Sequence, residues 1–308
     1  MKTQQRKSSC MLALAALIWG VAFVAQSVGM DYVGPFTFNA VRNFIGSLVL
    51  IPCILFFDRR RADAGETQPQ NPKTLLTGGI LCGIALAAGS SLQQIGIQYT
   101  TVGKAGFITA LYIIIVPLLG IFLRKRIGLF VWIAVALAVG GMYLLCMTET
   151  SGISRGDLFV LAGSFAFSLH ILIIDHFSPL VDGVRLSCIQ FFVCGLICSV
   201  PMFALEQPTM HAILSAWAPI LYAGVLSCGV AYTLQVVGQK GCDPTVASLI
   251  LSLESVFSAL AGWLLLHQVL SFREVAGCIL VFAAIILAQI SPEFLSNLCR
   301  GVNRRCKP

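Results

Sequence analysis

Charged residues are scarce in this chain. Only 11% of its 308 residues are Asp, Glu, Lys or Arg, while 57% are apolar. Soluble domains carry roughly 25% charged residues, so this chain cannot cover itself with a water-compatible surface. Catalytic signatures are missing as well: there is no nucleotide-binding glycine loop, no Gly-x-Ser-x-Gly elbow and no metal-ligand cluster. The twelve cysteines lack the paired short spacings of a zinc site or a secreted disulfide framework. Cys53, Cys82, Cys194, Cys228 and Cys278 lie inside apolar runs and read as small packing residues. Cys242, Cys299 and Cys306 fall near helix ends expected in the cytosol, where thiols stay reduced. No cofactor is expected, and no enzyme activity.

What the chain has instead is long apolar runs with charges between them, the pattern of a multi-pass membrane protein. A helix crossing about 30 Å of hydrocarbon needs roughly 20 apolar residues. Ten such runs lie near 10–28, 35–57, 75–98, 102–123, 127–147, 156–174, 183–204, 213–237, 244–266 and 272–290. Lys2, Arg6 and Lys7 precede the first, as in a signal peptide. That run is long enough to span, however, and no Ala-x-Ala pattern closes it, so it is read as a membrane helix. Pro35 sits at the mouth of the second run. Asp243-Pro244 reads as an N-cap with proline in the first turn of the ninth. Ser271 with Glu274 is a capping-box pattern opening the tenth, and Ser154 with Asp157 an acidic variant opening the sixth. Pro117 is expected to kink the fourth helix.

One stretch occurs twice. Gly96 to Gly120, moved forward without a gap, lands on Gly238 to Gly262. Ala105 then falls on Ala247, Ile108 on Ile250, Leu111 on Leu253 and Leu118 on Leu260, with Gln93 on Gln235 just upstream. One polar pair is unequal: Tyr112 falls on Glu254. A period near half the chain means two similar halves. Each half holds five helices, and five is odd, so the second copy enters the membrane from the opposite side. The expected fold is an all-α membrane protein of ten transmembrane helices in a five-plus-five inverted repeat, an architecture common among secondary transporters. The first repeat is placed at 1–150, the second at 151–291 and a basic tail at 292–308.

Basic residues set the orientation. Lys2, Arg6, Lys7, Arg59, Arg60, Arg61, Lys73, Arg124, Lys125, Arg126, Arg185, Lys240 and the tail fall on one side, Arg155 and Arg273 on the other, with Lys104 near an outer helix end. Both termini are therefore expected in the cytosol of a bacterial cytoplasmic membrane. The formal charge of +7 reflects loops facing anionic lipid rather than nucleic acid. The linker 58–74, rich in Gln, Pro and Asn, is expected to be a mobile cytosolic loop.

The chain resembles the EamA-type transporters of the drug/metabolite transporter superfamily, from about Leu12 to Gln289. The resemblance rests on Trp19-Gly20 with Phe23, Arg42, Thr100 to Pro117, Leu253-Glu254-Ser255-Val256 and Gly262-Trp-Leu-Leu. It implies a central cavity and the movement of small polar metabolites. Such proteins usually carry a glutamate near the ends of the fourth and ninth helices. Here those places read Leu123-Arg124-Lys125 and Leu266-His267-Gln268, so no role is assigned there.

Glu254 is the sharpest site candidate. It lies about ten residues from either helix end, hence about 15 Å deep. A carboxyl there is protonated, paired or facing water, and serves either a solute cation, a coupling proton or the bundle itself. Ser248, Ser252, Ser255, Ala259 and Gly262 around it read as a close-packing face, as do Gly103, Ala105, Gly106 and Ala110 in the fourth helix. Arg42 either clamps an anionic group, snorkels to the interface or meets a carbonyl. Trp19 and Gln26, seven apart, share a face. Gln93, Gln94, Tyr232 and Gln235 offer neutral donors and acceptors, for solute or for neighbouring helices. Tyr112 gains weight as the repeat counterpart of Glu254. His170 either shuttles protons or is satisfied structurally. Trp263 reads as interfacial or packing.

These residues suggest a secondary transporter for a small organic metabolite, with a zwitterion such as an amino acid fitting Arg42 and Glu254, and export the expected direction. The rivals are an intramembrane enzyme using His170, Asp175 or Glu254 on a lipid-linked substrate, and an adaptor docking through 59–61 and 124–126. Expected partners are a small-molecule substrate and the lipid bilayer, not nucleic acid; a homodimer is compatible with the sequence.

Overall fold

The structure is a computed structural model that describes residues 2–63, 71–100, 102–122, 128–146, 154–240, 242–266 and 271–289. The middle of the expected linker, Leu123 to Arg126, the join at 150–151, His267, Gln268 and the tail lie outside the described residues.

All regular elements among the described residues are helical. Spans one to three are α1 (Lys2–Gly29), α2 (Pro35–Asp63) and α3 (Pro72–Ile97). The apolar runs predicted the membrane parts of these helices, but α1 and α2 continue into charged residues on the N-terminal face. Arg, Lys, Gln and Ala are good helix formers, so the helix need not stop where the hydrocarbon does. Span four is α4 (Val102–Thr109) followed by α5 (Tyr112–Phe122), and span five is α6 (Leu129–Cys146). In the second half come α7 (Arg155–Phe177) and α8 (Gly183–Leu205), then the short α9 (Met210–Ser215). Span eight joins α10 (Trp217–Leu221), a π-helical stretch (Tyr222–Tyr232) and α11 (Thr233–Gln239). Span nine is α12 (Pro244–Leu251) with α13 (Leu253–Leu266), and span ten is α14 (Phe272–Gln289).

Helix starts follow their expected chemistry. The Asp243 carboxylate accepts the Thr245 amide at 2.8 Å ahead of Pro244. Ser154 and Asp157 form a full capping box: the Asp157 amide donates to Ser154 Oγ at 3.1 Å and the Ser154 amide to Asp157 Oδ2 at 2.8 Å. Pro35 opens α2.

The packing maps onto itself when the halves are exchanged, span one for six, two for seven and so on. α3 packs on α7, and α1 packs on the π-helical stretch and α11. α3 also packs on α8, and α2 on the π-helical stretch. α1 lies on α13 as α4 and α5 lie on α7, while α2 with α8 and α6 with α14 are their own counterparts. In spans four and nine, α4 meets α13 and α5 meets α12. The start of one span thus touches the end of the other, which makes the counterparts antiparallel. Two halves related in this way are an inverted repeat.

A gapless shift of 142 relates spans three and four to eight and nine, but spans one and two need 148. That shift carries Thr37 onto Arg185 and Asp58 onto Glu206, and each acid is joined to the other half's member of the first pair. Glu206, at the end of α8, accepts the Phe36 and Thr37 amides at 2.9 and 2.8 Å and the Thr37 hydroxyl at 2.5 Å. Asp58, near the end of α2, accepts from Arg185 Nη2 at 2.6 Å. Each helix of the pair therefore ends in an acid that reaches the first turn of the other, once at each membrane face. The two clasps differ for a local reason. Asp182 caps α8 by accepting the Val184 and Arg185 amides, leaving Asp58 a guanidinium. Its counterpart Gly34 has no side chain, so Glu206 supplies the cap of α2 from another helix. A Cβ on Gly34 would stand 2.3 Å from the Glu206 carboxylate carbon.

Small residues allow other close crossings. A Cβ on Gly96 would meet the Gly156 carbonyl at 2.7 Å, and one on Gly20 the Phe257 Cβ at 2.4 Å. Gly106 fits the expected packing role, since a Cβ there would meet Ser258 Oγ at 2.9 Å. Gly103 does not: among the described residues nothing lies within 4 Å of the place a Cβ would take.

Candidate functional site

Spans four and nine are both interrupted, at equivalent places. α4 stops at Thr109 and α5 starts at Tyr112; α12 stops at Leu251 and α13 starts at Leu253, one residue before Glu254. The expected distortion at Pro117 is thus not where the helix breaks. At each break the ladder tightens to i→i−3 bonds. The Leu111 amide donates to Ile108 at 3.2 Å, the Ile113 amide to Ala110 at 3.0 Å and the Ser255 amide to Ser252 at 3.1 Å. The Thr109 carbonyl, whose ordinary partner would be the Ile113 amide, accepts instead from Ser164 Oγ at 2.9 Å. In span nine Ser248, Ser252, Ser255 and Ser258 each turn a hydroxyl back to a carbonyl three residues earlier, at 2.7 to 2.8 Å. Hydroxyls bonded along the helix in this way favour bends. The serine row expected only as a packing face therefore also breaks the helix.

Between the halves, next to both breaks, lies a cavity of 40 Å³. At about 10–15 Å³ per water, that holds a few ordered waters rather than a metabolite. The cavity is small in this structure. Its lining includes nine of the ten expected site residues: Trp19, Gln26, Arg42, Gln93, Tyr112, His170, Tyr232, Gln235 and Glu254. The tenth, Gln94, is fully buried beside it and donates its amide to the Gln26 carbonyl at 3.1 Å.

The wall is built from counterparts. Trp19 and Phe167 both line it, as do Phe23 and Ile171, which share the 148 shift. Gln93 with Gln235, Thr109 with Leu251 and Tyr112 with Glu254 share the 142 shift. A cavity lined by equivalent residues of both halves lies on their pseudo-twofold axis. Phe23, Thr109, Phe167, Ile171, Ser227 and Leu251 had not been singled out as site residues. Apart from the hydroxyls they are apolar side chains in apolar helices, which composition cannot tell from core.

Where counterparts differ, the cavity gains polarity. The Tyr112 hydroxyl donates to Glu254 Oε1 at 2.9 Å. Glu254 is 4% exposed and Arg42 3%, yet among the described residues they form no ion pair with each other. The Arg42 guanidinium carbon sits 5.6 Å from the Phe38 ring centroid, within cation–π reach. Buried as it is, Arg42 does not snorkel to the interface, and its Nε has no hydrogen-bond partner among the described residues, so not all its donors are spent on carbonyls. The counterpart of Arg42 is Gln190, which pairs with His170 Nε2 at 2.9 Å. Gln93 donates to Thr109 Oγ1 at 2.9 Å. The Trp19 and Tyr232 rings meet edge-on, 4.6 Å between centroids, and His170 lies 5.8 Å from Tyr232. Trp263 is half exposed, away from the cavity. Asp175 is not in the lining.

Sequence reasoning passed over one group at the face opposite the N terminus. Lys104 Nζ lies 3.5 Å from Asp157 Oδ2, with both side chains 8% exposed. Thr100 adds a bond to Asp157 Oδ1 at 2.5 Å. Their counterparts, Val246 and Ser9, cannot form an ion pair. This link between α4 and α7 therefore has no twin at the N-terminal face.

Comparison with known proteins agrees with this architecture. The model of the EamA-like transporter family matches residues 6–147 and again 154–289. An uncharacterized transporter of Archaeoglobus fulgidus is 30% identical over 285 residues, covering 91% of this chain and 84% of that one. The uncharacterized transporter YoaV of Bacillus subtilis is 23% identical over 281 residues, 88% of this chain and 92% of its own. A solved crystal structure, 17% identical, overlays with a TM-score of 0.75 across 92% of this chain and 96% of its own, which speaks to the fold alone. With a family match in both halves and a relative of that likeness, the chain belongs to the EamA-like transporter family.

Proposed function

We propose that the chain exports a small zwitterionic metabolite, an amino acid or close relative, across the bacterial cytoplasmic membrane by alternating access. One observation carries this: Arg42 and Glu254, two buried side chains able to carry opposite charges, line the same cavity and form no ion pair with each other among the described residues. An isolated charge in a membrane interior is costly and usually marks a solute or ion path. Two separated charges suit a solute that brings both complements. Support also comes from the interrupted helices beside the cavity, the usual place for a transporter's solute site, and from an inverted repeat that supplies two interchangeable open states. The small cavity implies that loading needs the halves to move apart. The basic-residue bias supports both termini in the cytosol.

The test is counterflow of labelled amino acids into liposomes holding the purified protein. Free amino acids should compete, and the same compounds with the carboxylate esterified or the amine acetylated should not. Equal competition by the esters would remove Arg42 from solute binding, and equal competition by the acetylated forms would remove Glu254. If Glu254 takes the coupling proton, Glu254→Gln abolishes uptake driven by a pH step.

A further inference from the structure

At and beyond the cavity wall, several buried polar side chains have atoms without partners among the described residues, and two pairs of them are related by the repeat. On α2, Asn39 is fully buried with both amide atoms unpaired, one turn from Arg42 and its unpaired Nε. On α8, the counterparts Ser187 and Gln190 are fully buried, with Ser187 Oγ and Gln190 Nε2 unpaired. Each pair continues from the cavity along a helix that begins at a different face. Toward the face opposite the N terminus, Gln26, which shares the cavity wall with Arg42, and Gln94, which donates to the Gln26 main-chain carbonyl, add unpaired side-chain oxygens. Toward the N-terminal face, Gln235 and Gln239 add two more. Gln239 donates to the Ile171 carbonyl at 3.3 Å, next to the cavity wall. Beyond them, the buried and unpaired Ser178 Oγ opens on a second cavity with Asp182 and Lys240.

An unpaired amide or hydroxyl in an apolar interior costs a few kcal/mol, and ordered water is what commonly satisfies such groups. A scatter of unrelated defects would not repeat at the same positions in both halves. We infer that Asn39–Arg42 and Ser187–Gln190 line two symmetry-related water-filled paths, running from the central cavity to opposite membrane faces. Deepening the transport reading above and resting on it for its purpose, this assigns the routes by which a polar solute would enter and leave without losing all its hydration.

The test is cysteine reactivity in the membrane-embedded protein. Asn39→Cys and Ser187→Cys place thiols on the two paths, and Leu48→Cys and Leu196→Cys place thiols on the outward surfaces of the same helices. A hydrophilic thiol reagent needs a hydrated thiolate, so the path thiols should react at least about tenfold faster than the outward ones. Modification is read per residue by peptide fragmentation, which separates the native cysteines. The reagent should reach the Ser187→Cys thiol from the N-terminal face and the Asn39→Cys thiol from the other. Ser187→Cys is nearly isosteric, so that arm does not depend on how the fold tolerates change at Asn39. Path thiols as inert as the outward ones, in protein that still transports, would overturn the inference and spare the transport reading. Reactive path thiols in protein that moves no solute would leave the paths standing and remove the transport reading.

Discussion

Tyr112 donates a hydrogen bond of 2.9 Å to Glu254, and the two residues occupy the same position in the two halves, 142 apart. Counterparts can touch only at the axis that relates them. The bond therefore lies on that axis and joins the two halves directly. Tyr112→Phe should cost roughly 1–3 kcal/mol, the effect of leaving a buried acceptor unpaired. Glu254→Gln keeps an acceptor for the hydroxyl and should unfold at a temperature close to that of the unaltered protein. Thermal unfolding in detergent checks this order. If Glu254→Gln proves the more damaging, the carboxylate holds the bundle together and its place in transport falls away.

The charges across α4 and α7 lead to a sided expectation. Breaking a buried ion pair by removing one partner costs about 3–5 kcal/mol, and Asp157 also accepts from Thr100 and caps α7. Asp157→Ala should therefore destabilise more than Lys104→Met. Both should loosen only the face opposite the N terminus, because Ser9 and Val246 form no such link at the other face. Hydrogen exchange of the segments around 100–108 and 155–162 should rise, while the counterparts around 8–14 and 243–250 stay unchanged. Equal rises on both faces would mean the pair stabilises the whole bundle and closes neither side.

Cys242 gives a prediction with a direction in pH. It lies between α11 and α12, and burial, with help from Asp243 and Asp175, pushes its thiol up to about 11. The reactive species is the thiolate, so at neutral pH Cys242 should be nearly inert to alkylation and should gain reactivity as the pH rises toward that value. A pH series of alkylation read at the Cys242 peptide checks this. Ready modification near pH 7 would show that the segment opens in solution.

Most of the architecture was legible before the fold. Span-length apolar runs and a repeat of odd helix number imply antiparallel halves by counting alone. The cavity was legible because Arg42, Gln93, His170, Gln235 and Glu254 are polar residues in runs that are otherwise apolar, and the interior of a membrane bundle rarely tolerates them without use. The Arg42–Gln190 relationship was hidden, since the shift changes from 142 to 148 in the connection between spans two and three and a gapless comparison stops there. The breaks in spans four and nine were hidden too. They depend on serine hydroxyls choosing backbone carbonyls and on Ser164 of another helix taking the one at Thr109. Asp157 was legible as part of a capping box and Glu206 was not singled out; only packing shows that each also reaches another helix.

The clasps between α2 and α8 should differ in strength despite their equivalent positions. Asp58 and Arg185 are each more than a third exposed, and a pair that wet is worth no more than about 1 kcal/mol. Glu206 holds two amides and a hydroxyl at the start of α2, the work of an N-cap, and loss of a cap costs about 0.5–2 kcal/mol. Glu206→Ala should thus lower stability more than Asp58→Ala. Gly34→Ala supplies the decisive comparison, because its new methyl would stand where the Glu206 carboxylate now lies. Displacing that carboxylate and deleting it remove the same bonds, so the double variant should be no less stable than the worse of the two single ones. Thermal unfolding of the four proteins gives the coupling directly. Simple addition of the two losses would mean that Glu206 keeps its hold when Gly34 gains a side chain, and that the glycine is there for some other reason.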